Sequence, residues 1–307
     1  MLQGPVWNRI LLFALPVAAT GMLEQLFNAS DIAIVGSFAQ TGRTEAVAAV
    51  GANSPIVGLL VNFFVGIALG ANVVIAQAVG QRKPKTIEQA VQTSLLLAIA
   101  CGLATTLIGE AVIGTGLSLM NIPANVYPHA LQYMRIYLAG MPAILLYNFE
   151  ASVFRSIGET KTPLLALAVS GVINVILNLF FVIVVHLSVA GVAIATVIAN
   201  VISSLILLAI LLKTDKPIRL SLHDLHPSRA VAARILRIGL PAGLQSSVFA
   251  IANIIIQTAI NSLGTVVMAA SSAAFNVEIF CYYVLNSFTQ ACTTFVSQNY
   301  GAGDRER

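Results

Sequence analysis

Two carboxylic acids and an amide interrupt the first long apolar stretch of the sequence. Glu24, Asn28 and Asp31 follow one another at spacings of four and three residues, which place all three on one face of an α-helix. A carboxyl group in apolar surroundings is costly to ionise unless it is paired or hydrated. These side chains could therefore exchange a proton or bind a cation, if they face a helix-bundle interior or a wet cavity. A structural role for Asp31, bonded to a neighbouring helix, is the alternative.

Further polar side chains occur inside later apolar stretches. Asn174 and Asn178 are four residues apart, so they share a helical face and could supply oxygen ligands or simply join two helices by hydrogen bonds. Glu278 is the acid of the last apolar stretch, where it could contact a cationic substrate or form a structural salt bridge. Glu150 is close in sequence to Arg155, and we expect it to serve the loop that follows.

The elements that position these residues are predicted to be membrane-spanning helices. Apolar residues make up 58% of the 307 positions, charged residues only 9%, and the mean hydropathy is +0.89, whereas soluble proteins are about 25% charged. Each apolar run is long enough to cross a bilayer as a helix, which takes about 20 residues. We expect an all-α integral membrane protein with these spans: 10–38, 47–79, 89–118, 129–154, 163–186, 189–212, 235–262 and 266–299.

Basic residues are concentrated in the loops on one side of these spans, and this distribution predicts the orientation of the chain in the membrane. Of the sixteen Lys and Arg residues, all but Arg43 and Arg135 fall on one side of the expected membrane. Because basic loops stay in the cytoplasm, this predicts a multi-pass protein of the inner (plasma) membrane with a cytoplasmic N-terminus. Membrane orientation thus explains the net charge of +4, so we expect lipid and no nucleic acid as a partner.

An internal repeat divides the sequence. Arg9–Pro16 resembles Arg234–Pro241 at an offset of 225, and Gln77–Gly80 resembles Gln298–Gly301 at an offset of 221. Because six spans separate the copies, both would enter the membrane from the same side, as parallel repeats do in secondary transporters. Chance similarity between apolar helices is the alternative. The repeat predicts a six-helix lobe over 1–212, a cytoplasmic linker over 213–234, and the first two helices of an incomplete second lobe over 235–307.

Several stretches in this order resemble the multidrug and toxic compound extrusion (MATE) transporters. They are Leu15–Pro16, Asp31–Gly36 with Ala48–Gly51, Ala76–Gly80, Phe154–Pro163, Asn174–Asn178 with Ala190–Thr196, and Val296–Gly303. The resemblance implies two six-helix lobes around a central cleft. It also implies export of organic cations, amphipathic drugs or metabolites by alternating access, driven by inward H⁺ or Na⁺ and without an organic cofactor.

The resemblance also implies roles for individual residues. Asp31 matches the family's acid of helix one, Asn148 and Thr196 match polar positions of the same pocket, and Pro16 matches a proline where helix one bends. The family often has an aspartate at the position of Asn178, so a two-carboxylate site is not expected. The implied coupling residues are Asp31, Asn174, Asn178, Asn148 and Thr196, and the implied cleft residues are Glu24, Asn28, Gln245 and Glu278.

Other functions remain open at this stage. A flippase for lipid-linked precursors shares the broader architecture but should have a basic cleft. A truncated membrane protein that does not transport is the third reading, and we expect residues 1–307 alone not to complete a transport cycle. No sequence feature indicates an enzyme or a nucleotide site, and we read His223–His226 as a solvated loop without metal.

Overall fold

A computed structural model describes residues 2–38, 43–120, 122–221, 226–261, 265–304 and 306. Within these ranges the chain forms α-helices joined by short connections, and no strand is present. The expected loop His223–His226 lies largely outside them. The helices are α1 Val6–Phe38, α2 Arg43–Gly80, α3 Pro84–Leu119, α4 Tyr127–Ala139, α5 Met141–Ser156, α6 Lys161–Leu179, α7 Ser188–Lys213, α8 Arg229–Asn261 and α9 Thr265–Ala302.

The helices confirm the all-α membrane fold. Among the described residues, α1, α2, α3, α6 with the π-helical turn Phe180–Val184, α7 and the Arg229–Asn253 part of α8 are each long and apolar enough to cross a bilayer. Helices α4 and α5 together form one further, bent span. Helix α9 occupies the position of the eighth expected span, but its described residues do not meet the same test of apolarity.

The fourth span is broken, which the sequence analysis did not anticipate. Helices α4 and α5 meet at Gly140 with a bend of 51°, so the span expected over 129–154 consists of two helices rather than one. Pro142 has no backbone N–H to donate to the preceding turn. At Gly140 the side chain of Val197 on α7 approaches so closely that a Cβ would collide with it. Both features favour a break at this point.

Helices α1 to α7 pack around two apolar cores and are called the first lobe below. One core joins the second half of α2 and the first half of α3 to α5 and the end of α7. The other joins the end of α1 and the start of α2 to α4 and the start of α7. Helices α8 and α9 then pack mainly along α2 and α1 rather than on each other.

The seam between α2 and α8 is lined by glycine on both sides. Gly66 and Gly70 are one helical turn apart on α2, and they face Gly239 and Gly243 of α8. A Cβ at any of the four would overlap backbone atoms of the opposite helix. Small residues at this spacing let two membrane helices approach backbone to backbone.

The segments of the internal repeat meet at the ends of α2 and α9. The Cα of Gly80 faces the carbonyl oxygen of Gln298, and the Cα of Gly301 faces the carbonyl oxygen of Gln77, with no room for a Cβ at either glycine. The two copies of the motif thus contact each other reciprocally, as expected of repeats related by a rotation.

Candidate functional site

Asp31 lies in the interior of the first lobe, on the face of α1 that packs against α6 and α7. Its side chain is only 5% exposed. The Nδ2 of Asn178 on α6 donates to Oδ1 of Asp31 at 2.5 Å, and the hydroxyl of Thr196 on α7 lies 3.2 Å from Oδ2. Each oxygen of the carboxyl group therefore has a donor from a different helix.

Asn174 completes what we call the Asp31 cluster, made of Asp31, Asn174, Asn178 and Thr196. Its Oδ1 accepts a second hydrogen bond from Nδ2 of Asn178 at 3.1 Å, and its own Nδ2 lies 3.5 Å from the Thr196 hydroxyl. Three helices thus contribute side chains to one continuous polar network inside the lobe.

The oxygens of the cluster suit a small hard cation as well as a proton. The Thr196 hydroxyl is also 3.0 Å from the Val192 carbonyl, and its single proton can serve that acceptor or Asp31, but not both. When the Thr196 hydroxyl donates its hydrogen bond to the Val192 carbonyl, the hydroxyl oxygen is free to act as a ligand. The Oδ1 of Asn178 is buried and makes no hydrogen bond with the described residues. Carboxylate, amide and hydroxyl oxygens are the ligands that hard cations prefer.

A close contact between α1 and α6 brings the cluster together. The ring of Phe27 lies against Gly171, where a Cβ would overlap it. Asp31 follows Phe27 by four residues and Asn174 follows Gly171 by three, so both lie about one turn further along their helices. Sequence reasoning missed these two packing residues, although a glycine three residues before Asn174 is a readable signal for close helix approach.

Two other expected residues lie apart from this network. The amide of Asn148 donates to the carbonyl of Ile144 in its own helix at 2.8 Å instead of to a residue of the cluster. Pro16 lies inside α1, which continues on both sides of it, and its carbonyl accepts a bond from the Thr20 hydroxyl at 2.9 Å.

The expected cleft residues are the more exposed group. Asn28, Gln245 and Glu278 are exposed on the described chain, and Glu24 is half-buried. Glu24 lies close enough to Arg155 of α5 for their charges to interact. Next to Glu24, the amide of Gln25 donates to the Tyr283 hydroxyl of α9 at 2.7 Å, a link between repeats that sequence reasoning missed.

Glu150 corrects the sequence analysis. It was expected to serve the loop after the fourth span, but its side chain is fully buried in α5. Neither carboxyl oxygen has a hydrogen-bond partner among the described residues. The loop is served instead by Glu159, whose Oε2 is 2.8 Å from Nζ of Lys216. Partial burial raises the pKa of Glu159, but the Lys216 bond and charge and the bonds with Thr162 outweigh it, so that pKa lies below its usual range.

Comparison with known proteins gives one consistent result. The sequence profile described as MatE matches residues 16–180 and 241–307. Two proteins of Bacillus subtilis (strain 168) are similar: the probable multidrug resistance protein YoeA is 28% identical over 98% of this chain and 66% of its own length, and YpnP, of the same description, is 26% identical over 99% and 67%. The chain thus spans about two thirds of the length of these relatives.

The fold of this chain also agrees with that of a solved structure along nearly its whole length. A crystal structure of MATE in the bent conformation superposes with a TM-score of 0.90 at 25% identity, over 99% of this chain and 68% of the other. Helix order and packing therefore follow one known architecture.

Proposed function

This chain belongs to the MatE family, and we propose that it exports organic cations or other amphipathic drugs or metabolites in exchange for H⁺ or Na⁺. The family consists of transporters rather than enzymes. The export would proceed by alternating access, in which the two lobes rock against each other around a site between them.

The observation that supports a coupling role for the first lobe is the Asp31 cluster. A buried carboxyl group whose two oxygens accept hydrogen bonds from an amide and a hydroxyl can remain in place when it binds or releases a proton or a metal ion. The donors stabilise the ionised form, and the unpartnered oxygen of Asn178 can turn to a proton or metal ion when the carboxyl group binds one. Asp31 would carry the charge, while Asn174, Asn178 and Thr196 would supply oxygens and hydrogen bonds.

The rest of the polar surface supports a cationic or amphipathic substrate. Glu24, Asn28, Gln245 and Glu278 present acids and amides, and the relatives described above bear the name of multidrug resistance proteins. A cleft for lipid-linked precursors would need basic groups for a pyrophosphate, so these residues favour cation export over lipid flipping.

We further propose that the first lobe occupies 1–212, that 213–234 is a cytoplasmic linker, and that 235–307 begins the second lobe. The side that carries the basic loops would face the cytoplasm. Single cysteines placed at Lys83, Lys161 and Arg219 test this orientation. An impermeant thiol reagent should leave all three unlabelled in intact cells, and labelling of any one from outside would overturn the orientation.

The coupling proposal is tested first on the purified chain, without transport. If Na⁺ binds at the Asp31 cluster, NaCl should raise the thermal unfolding midpoint more than choline chloride of equal concentration, because a ligand that binds only the folded state stabilises it. If H⁺ is the coupling ion, NaCl and choline chloride should act alike, and detergent-solubilised protein should release fewer protons on alkalinisation after Asp31→Asn.

The control is Glu110→Gln, the same change of acid to amide at a partly exposed carboxylate that faces Arg135 across 3.6 Å. An Asp31→Asn variant with unchanged responses to both ions would remove Asp31 as the coupling residue. Export itself is measured as efflux of a cationic dye from proteoliposomes. The assay compares the chain alone with a chimera in which the final third of a relative follows residue 307.

A further inference from the structure

A second buried carboxyl group of the first lobe lies outside the Asp31 cluster. Glu150 is 0% exposed, and its oxygens accept no hydrogen bond of ordinary geometry from the described residues. The hydroxyl of Ser204 on α7 lies near the carboxyl group. A carboxylate has about four lone-pair sites to satisfy, so one neighbouring hydroxyl is far from enough to replace water.

Within the part of the chain that the structure describes, no cation is in a position to compensate a charge at this place. The basic group nearest in sequence is Arg155, whose Nη1 donates to Oε1 of Gln290 on α9 at 3.2 Å and whose charge acts on Glu24. Among the described residues, the titratable side chain that interacts electrostatically with Glu150 is Tyr147, one turn earlier on α5. The Tyr147 hydroxyl is itself buried and without a partner.

The helices packed against α5 bring no further charge to Glu150. The described acidic, basic and phenolic residues of these helices make other contacts or lie towards the helix ends, and none of them interacts electrostatically with Glu150. Those residues are Arg43 and Glu45 on α2, Lys85, Glu88 and Glu110 on α3, Tyr127, His129, Tyr133, Arg135 and Tyr137 on α4, Lys161 on α6, Lys213 on α7, and Glu278, Tyr282, Tyr283 and Tyr300 on α9.

An ionised carboxylate in such surroundings is strongly unfavourable, whereas the neutral acid is tolerated. A buried charge without a partner is costly, and an acidic group so placed takes up a proton instead. We propose that Glu150 is a second proton-binding site of the first lobe, which holds a proton on its carboxyl group while α5 and α7 are packed as in this structure.

The site is separated from Asp31 along the membrane normal. Glu150 lies six residues before the end of α5, about 9 Å from that end. Asp31 is bonded to Asn178, which lies about 26 Å along α6 from its start at Lys161, just after the end of α5. Loss of the Glu150 proton requires that water or a cation reach it, so separation of α5 from α7 and deprotonation must accompany each other.

This inference goes beyond the coupling role proposed for Asp31 and does not depend on it. Infrared spectroscopy of the chain in lipid nanodiscs distinguishes protonated from ionised carboxyl groups by their different C=O stretching bands. At neutral pH, Glu150→Gln should remove intensity from the band of protonated acids and leave the carboxylate band unchanged. The matched control, Glu159→Gln, should do the reverse, because Glu159 is paired with Lys216.

A second measurement keeps the inference testable if the spectra overlap. In the unfolded chain Glu150 would release its proton to water at ordinary acidic pH, whereas the folded lobe retains it. Raising the pH should therefore lower the unfolding temperature of the wild type more than that of Glu150→Gln. Loss of carboxylate intensity in Glu150→Gln, or identical pH profiles of the two proteins, would overturn the proposal. Either result would leave the role of Asp31 to its own test.

Discussion

Asp31 and Glu150 are buried carboxyl groups of the same lobe, but their neighbours differ in kind. Asp31 receives hydrogen bonds from Asn178 and Thr196 on two other helices. Glu150 has one hydroxyl nearby, on Ser204, and no bonded donor among the described residues. Donors around a carboxyl group stabilise its ionised form in place, so Asp31 can change its charge within a fixed structure. Glu150 can change its charge only when its surroundings change as well.

The largest expected effect separates the two sites by function. Asp31→Asn keeps the shape of the side chain but removes its charge, so ion-driven dye efflux from proteoliposomes that hold the chimera should fall to the level of protein-free vesicles. Facilitated movement of dye down its own gradient should persist. Ion-driven efflux by Asp31→Asn at the wild-type rate would show that Asp31 does not couple ion movement to dye export.

The next effect comes from making Asp31 resemble Glu150. Asn178→Leu removes the donor to Oδ1, and loss of a hydrogen bond to a buried charged group lowers the free energy of unfolding by about 1.5–3 kcal/mol. Denaturant unfolding in detergent measures this. Asn200→Leu is the control, because the Asn200 amide donates to the Thr196 carbonyl of its own helix and its loss should cost less. Equal losses of unfolding free energy in the two variants would contradict a stabilising hydrogen bond from Asn178 to the charged Asp31.

A smaller effect, of opposite sign, is expected when the unbonded acid is replaced by an apolar side chain. Glu150→Met should leave the free energy of unfolding unchanged or raise it by about 1 kcal/mol, because a buried polar group without partners contributes no bonds to lose. Asp31→Met should be destabilising in the same assay. A marked loss of stability in Glu150→Met would mean that Glu150 has stabilising contacts.

The smallest effect concerns Glu159, an acid whose partner lies at the surface. Lys216→Met should lower stability by no more than about 0.5 kcal/mol, because partly exposed ion pairs are screened by water. The folded-state pKa of Glu159 is lowered, so the contribution is present above the usual glutamate pKa of about 4.3 and disappears as the pH falls through the folded value. The free energies of unfolding of wild type and Lys216→Met should therefore differ at neutral pH. They should be equal at pH values below about 4.

Sequence periodicity together with the family resemblance predicted the Asp31 cluster better than the surroundings of Glu150, for a physical reason. Residues spaced by three and four share a helical face, so Asn174 and Asn178 could be grouped from their numbers alone. Whether Glu150 faced a loop or the interior depended on where α5 ends and how it is oriented. That orientation follows from the bend at Gly140, which is favoured by Pro142 and by the contact of that glycine with Val197, 57 positions further on. Contacts between distant positions leave no periodic signal in one sequence.

The reciprocal contact at the ends of α2 and α9 has a consequence for how these positions vary in evolution. Gly80 and Gly301 each face a main-chain carbonyl, of Gln298 and Gln77, and every amino acid supplies such a carbonyl. No substitution at the facing position can therefore make room for a larger residue, and none can remove the constraint. In an alignment of homologues both positions should remain glycine without covarying with their contact partners. Methods that infer contacts from correlated substitutions should accordingly miss this contact between the two repeats.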